Sequence, residues 1–247
     1  YKLLQGYRGL PGANFDAIAL TLIKVAQLVI DLPELKELDI NPLLADEQGA
    51  IVLDGRIKVA HVEGPATGRL AIRPYPNELE EKITLGDGKT LLLRPILPED
   101  EPSLQAAFST LTAEEVRMRF FMPVKTLSHF MAVRFTQLDY AREMGLVLTE
   151  EGIAGKTEIF GVANIVADPD NERAEFAIIV RHDLTAMGLG IYLMQRIIDY
   201  ANEGGIKELY GDVLRQNQSM LKLCKVLGFT QSFVEGEPDL VRVVLAL

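Results

Sequence analysis

Apolar residues at Ile18, Leu22, Val25 and Val29 recur at helical spacing and form one face of a helix. Asn14 stands where an N-cap belongs, and Pro33 marks the end. The period then changes. ELDINPLLA and AIVLDGRIKV read as two short strands joined at DEQG. With Asp46 to Gly49 as the turn, opposed residues have numbers summing to 95, so Asn41 faces Asp54 and Asp39 faces Arg56. Directly opposed Cβ atoms lie about 4.5–5.5 Å apart. An amide oxygen and a carboxylate at that spacing suit either a shared hard cation such as Mg²⁺ or a polar pair on a wet face.

The periodicity lapses over VEGPATGRLAIRPYPNELEEK, which holds three prolines and two glycines and reads as a linker. The expected division is a first segment over 1–62, a linker over 63–82 and a domain over 83–247. About 60 residues are few for an independent core, whereas roughly 165 are typical of one domain.

Beyond the linker, strands and helices alternate. ITLGDGKTLLLRPI predicts a hairpin around Gly86, Asp87 and Gly88. EDEPSLQAAFSTL, TAEEVRMRFF and HFMAVRFTQLD predict three short helices, the second with Thr112 and Glu115 as a capping box. EMGLVLTEE, EIFGVANIVAD and ERAEFAIIV predict strands, the last two joined by a turn at DPDN. In GLGIYLMQRIIDYANEGG, Leu193, Met194, Ile197, Ile198 and Ala201 share a helix face, and Gly204 supplies the stop. KELYGDVL, a helix from Asn217 to Val226, and strands around FTQSFV and DLVRVVLAL complete the pattern. Met118, Met122, Met131, Phe120, Phe121 and Phe130 are expected to fill core.

Composition narrows the function classes. The 247 residues are 48% hydrophobic with formal net charge -10. Such acidity disfavours a phosphate backbone, so no nucleic-acid partner is expected. No apolar run approaches the roughly 18 residues that span a bilayer, and no membrane is expected. One cysteine, Cys224, forms no internal disulfide and fits a reducing cytoplasm. The start shows no secretory signal, and the absence of an initial Met suggests a piece of a longer chain. His61, His129 and His182 are scattered without metal-ligand spacing.

The chemically informative junction is AEFAIIVRHDLTAMGLGIYLMQRII. A strand enters a loop that delivers two glycines to the first turn of a helix. Free N–H groups and the helix dipole make such a tip an anion site, and Gly188 and Gly190 leave room for a diphosphate. Taken alone, a tight strand-to-helix connection is the better explanation of the glycines.

Order adds weight: strand, GLG, amphipathic helix, strand, then NQSMLKLCKVLGF. This succession, over 83–247, resembles the GNAT acetyltransferase superfamily. The implied fold is α/β (α+β), a mixed, mostly antiparallel sheet flanked by helices. The resemblance implies acetyl-CoA as cosubstrate, held by the main chain of Met187, Gly188, Leu189, Gly190 and Ile191. It further implies pantetheine along Ile178, Ile179 and Val180, and a helix from Asn217 beside the thiol. The loop reads TAMGLG, with Thr185 where the family carries Gln or Arg, and Asp183 orders or caps it. Phrases such as EVRMRFF, TQLDYAREMGLVL and AEFAIIV resemble bacterial protein-lysine acetyltransferases. ELDINPLL and IVLDGRI likewise resemble the closing hairpin of the ATP-grasp domain in NDP-forming acyl-CoA synthetases. In that family Asn41 and Asp54 would help hold Mg-ATP, which needs the rest of the domain. The first segment is therefore expected to be a helix plus β-hairpin remnant.

Attack of a lysine on a thioester requires loss of a proton from a group with pKa about 10.4. The resemblance makes Glu175 the general base, and burial in an apolar strand is expected to raise its pKa. A backbone N–H near Ile178 or Ile179 would steady the oxyanion. Cys224 occupies the position where many relatives carry an acidic Tyr, and it is expected to be a buried apolar residue. AMP-forming acyl-CoA synthetases are the implied protein partners. Two rivals remain: a GNAT enzyme acting on a small amine, and a non-catalytic acyl-CoA sensor or synthetase tail.

Overall fold

Asn14 Oδ1 accepts the N–H of Ala17 at 2.9 Å and opens α1, Phe15–Asp31. The computed structural model describes residues 2–6, 9, 11–62, 72–86 and 88–247, with the backbone alone at 2, 3, 183, 185 and 186. They fall into two units, Tyr1–Pro74 and Tyr75–Leu247.

In the first unit each expected strand divides in two. β1 (Leu35–Ile40) and β2 (Leu43–Ala45) flank Asn41 and Pro42, while β3 (Ala50–Val52) and β4 (Gly55–Val59) flank Leu53 and Asp54. Pro42 has no N–H to donate to a ladder. Register still follows the sum of 95: Leu44 opposes Ile51 and Asp39 opposes Arg56. Asp46 Oδ1 ties the turn by accepting the N–H groups of Gln48 and Gly49 at 2.8 and 3.0 Å. The expected apolar face of α1 buries no residue, and Leu22 is 66% exposed.

Of the expected linker, 63–71 lies outside the described residues. In the remainder Asn77–Leu79 forms a 3-10 turn, and the expected hairpin starts two residues early, as β5, Glu81–Thr84. The prolines punctuate this stretch, but EKIT alternates in exposure and pairs with β6, Thr90–Pro95. Tyr75 Oη donates to the Pro95 carbonyl at 3.1 Å and fastens its start. Asp87 of the hairpin turn lies outside the described residues.

The second unit is built on eight strands in the order β11-β12-β10-β9-β8-β7-β6-β5. Here β7 is Glu143–Thr149, β8 Ile159–Ala167, β9 Arg173–Val180, β10 Glu208–Leu214, β11 Thr230–Val234 and β12 Glu237–Ala246. All pairs are antiparallel except β9 with β10. The sheet is thus mixed and mostly antiparallel, as expected. Alternation along β7 feeds two cores: Met144, Leu146 and Leu148 serve one, Val147 the other. The first core takes Leu193, Met194, Ile197 and Ala201 from α5, Leu189–Glu203. The second packs under α2 (Glu101–Ser109), α3 (Ala113–Phe120) and α4 (His129–Thr136).

Local signals hold closely. Thr112 and Glu115 form the capping box of α3. The stop after α5 shifts by one residue: Gly204 keeps right-handed φ, and Gly205 takes the left-handed φ of 80°. The Met and Phe expectation is only half met, since Met122, Phe121 and Phe130 are exposed. Phe121 takes the left-handed cap of α3, and Phe130 sits in the first turn of α4. Arg94 and Asp100 form a buried bidentate pair at 2.6 and 2.7 Å that anchors the start of α2. Among the described residues no helix is long and apolar enough to cross a membrane.

Candidate active site

Pairing between β9 and β10 stops at Glu175 opposite Tyr210. Beyond it β9 keeps only β8 as a partner, and the two parallel strands diverge. Phe176 acts as the wedge. Its ring lies over Gly211, where a Cβ would stand 2.9 Å from it, and meets Phe229 edge-on at 5.2 Å. The divergence opens a cleft of 650 Å³, bounded by β9, α3, the tip of α5 and α6, Gln218–Val226.

The tip of α5 follows from its glycines. Gly188 has φ 78°, a left-handed turn that releases the chain from a 3-10 segment over His182–Met187 into the helix. Gly190 lies against α6, and a Cβ there would stand 3.2 Å from Leu223. Tyr192 makes the first helical bond, to the Gly188 carbonyl at 3.1 Å, so the N–H groups of Leu189, Gly190 and Ile191 precede the ladder. Gly188, Gly190 and Ile191 line the cleft, as do Ile178, Ile179 and Val180. Met187 and Leu189 do not. Met187 is exposed beside the turn, and the Leu189 side chain is buried in the core, leaving only its backbone at the tip. The side chains of Asp183 and Thr185 lie outside the described set.

Asn217 lines the cleft at the start of α6, but its Oδ1 is engaged as the cap. It accepts from Met220 N–H at 3.1 Å and from Ser219 Oγ at 3.0 Å. Cys224 faces the core with no exposed surface, and burial pushes its thiol up to about 12. It does not line the cleft.

Glu175 stands at the mouth of the cleft, on the face of β9 that carries Ala177 and Ile179. The expectation of partial burial is corrected, because the residue is exposed. The ladder to the parallel partner strand ends beside it, while β10 itself runs on to Leu214. Of the other carboxylates, Glu114 lines the cleft from the first turn of α3, and Asp212 and Glu115 are engaged. Asp212 holds Arg242, with Nη2 to Oδ2 at 2.8 Å. Glu115 accepts the Thr112 N–H at 2.7 Å and has His182 Nδ1 at 3.5 Å. Glu175 has no such partner among the described residues.

Arg119 escaped the reading of the sequence. Its Nη2 donates to Asn164 Oδ1 at 3.1 Å, and its guanidinium lies 5.0 Å from the Phe120 ring centre. Burial lowers its pKa from the ordinary value, and the charge of Glu175 opposes that shift. The signal was present in EEVRMRF. Glu115, Met118 and Arg119 share a helical face, and all three line the cleft.

Asn41 and Asp54 meet in the first unit through a backbone bond of 3.2 Å, and both are exposed. The Asp54 carboxylate lies 3.5 Å from Arg56 Nε. Magnesium takes about six oxygen ligands, so this pair alone does not make a nucleotide site. Among the described residues no three His, Cys, Asp or Glu side chains gather to hold a metal ion.

Residues 90–230, more than half of the chain, match the acetyltransferase (GNAT) domain family, and the chain belongs to it. The protein is therefore an acyltransferase by fold and family. Residues 1–59 match the ATP-grasp domain family. An acetyltransferase of Pseudomonas aeruginosa is 28% identical over 63% of this chain and 82% of its own length. The acetyltransferase Pat of Mycolicibacterium smegmatis is 29% identical over 66% of this chain and 47% of its own. The β subunit of an ADP-forming acetate–CoA ligase of Pyrococcus furiosus is 46% identical over 57 residues, a quarter (25%) of its length. Among solved structures, the GNAT domain of S. lividans PAT superposes with TM-score 0.62 at 28% identity, covering 70% of this chain and 100% of that one.

Proposed function

We propose that the second unit moves an acetyl group from acetyl-CoA to the ε-amine of a protein lysine, with AMP-forming acyl-CoA synthetases as acceptors. The observation that carries this reading is the uncommitted carboxylate of Glu175 at the mouth of a cleft whose inner end is the glycine tip of α5. The thioester supplies an activated acyl group. The N–H groups of Leu189, Gly190 and Ile191 face its diphosphate, and the edge of β9 that β10 leaves open over Ile178 to Val180 receives the pantetheine. Asn217 serves by capping α6 and fixing that wall.

A lysine arrives protonated, because its pKa of about 10.4 lies well above neutrality. Glu175 takes that proton directly or through one water. The freed amine forms the new C–N bond, the N–H of Ile178 or Ile179 donates to the developing oxyanion, the nitrogen gives its second proton to solvent, and the C–S bond then breaks. The thiolate takes its proton from solvent at the open mouth, since the Cys224 thiol is buried away from it. Exposure of Glu175 supports an acceptor carried on a protein surface over one enclosed in a deep pocket.

Incubating the chain with labelled acetyl-CoA and an AMP-forming acyl-CoA synthetase, then mapping the modified residue, tests the proposal. Label on one lysine of the synthetase is expected. Label only on small polyamines, or on no amine, would sink it.

A further inference from the structure

Beside the cleft the sheet carries a second concavity, on the face covered by α2 and α4. Its volume is 70 Å³, several times the roughly 10–15 Å³ that holds one water. The wall is largely apolar: Leu104, Ala107 and Phe108 from α2, Phe135 from α4, Val162 from β8 and Ile179 from β9. Ile179 and Arg119 line both concavities. The concavity is open on one side, so its apolar lining lacks contacts until an occupant fills it. An occupant that restores those contacts gains affinity.

Direction along β9 identifies that occupant. Ile179 projects from the same face as Glu175 and stands opposite Val162 in the register. With the thioester beside the edge of β9 that β10 leaves open at Ile178 and Ile179, a chain lengthened from its acyl carbon passes Ile179 into the apolar concavity. We infer that this concavity is an acyl subsite for straight aliphatic chains of three or four carbons, which makes the donor class short-chain acyl-CoA and not acetyl-CoA alone. The inference rests on the coenzyme reading of the cleft.

Calorimetric titration of the full chain with acetyl-, propionyl-, butyryl- and octanoyl-CoA tests it. Burial of two further methylenes is expected to tighten butyryl-CoA about tenfold over acetyl-CoA. Octanoyl-CoA, too long for the cavity, is expected to lose that gain. Ala107→Leu fills the space from α2 with a good helix former, and the ratio of the butyryl and acetyl dissociation constants should then approach one. Equal or weaker binding of butyryl-CoA by the parent chain, or a ratio unchanged by Ala107→Leu, overturns the subsite alone. Failure to bind any of the four thioesters overturns the coenzyme reading beneath it.

Discussion

The two units use the same local grammar and reach opposite results. In both, side-chain caps start helices (α1 in the first, α3, α4 and α6 in the second), and hairpins keep the register their patterns dictate. In the second unit Leu193, Met194 and Ile197 have no exposed surface, whereas α1 of the first buries nothing and leaves Leu22 66% exposed. Val59 of β4 is 67% exposed. Capping and turn chemistry set where an element starts and stops. Burial depends on a complementary face, and the first unit contributes a helix and hairpins without one among the described residues. Its match to the ATP-grasp family and its quarter-length coverage of the ligase subunit fit that picture.

If activity resides in the second unit, Glu175→Gln should lower the turnover of acetyl transfer by about 100- to 10,000-fold while acetyl-CoA affinity changes less than about twofold. Steady-state kinetics with a calorimetric control would show it, and full turnover in the variant breaks the assignment. Next in size is the packing contrast. Leu193→Ala should cost about 2–5 kcal/mol in denaturant unfolding, and Leu22→Ala less than about 0.5 kcal/mol. A large cost at Leu22 would mean that α1 is packed after all.

Gly188→Ala forces a side chain into a left-handed turn and should weaken acetyl-CoA about tenfold through a cost of about 1–2 kcal/mol. The smallest effect concerns pH. The Cys224 thiol is raised from its ordinary 9.0 to about 12, so its proton is held more tightly folded than unfolded. Its contribution to stability is complete below pH 9 and lost as pH rises toward 12. Thiol labelling at pH 8 should accordingly require unfolding.

Legibility followed the range of the interaction. The caps at Asn14 and Thr112 and the register of Asp39 with Arg56 depend on neighbours a few residues away or on one turn, and all were readable. So was the strand–glycine–helix order that builds the cleft. Exposure was not: the apolar period of α1 says which face is greasy, not what meets it. The same limit misjudged Phe130 and Glu175. Glu81 and Lys82 looked like linker because their ladder partners, Leu93 and Leu92, lie some ten residues on. Arg119 stayed hidden because a cation on an amphipathic helix gains meaning only from Asn164 and Glu175, which arrive from other strands.

The parting of β9 from β10 has a thermodynamic corollary. Main-chain donors and acceptors in mid-sheet are costly to leave without partners, and the pantetheine of the proposed cosubstrate would supply them. Ligation that favours the native state adds RT ln(1 + [L]/Kd), about 2.7 kcal/mol at a hundredfold excess over Kd. Melting temperature would then report metabolic thioester supply, with a well-fed cell keeping a sturdier enzyme than a starved one.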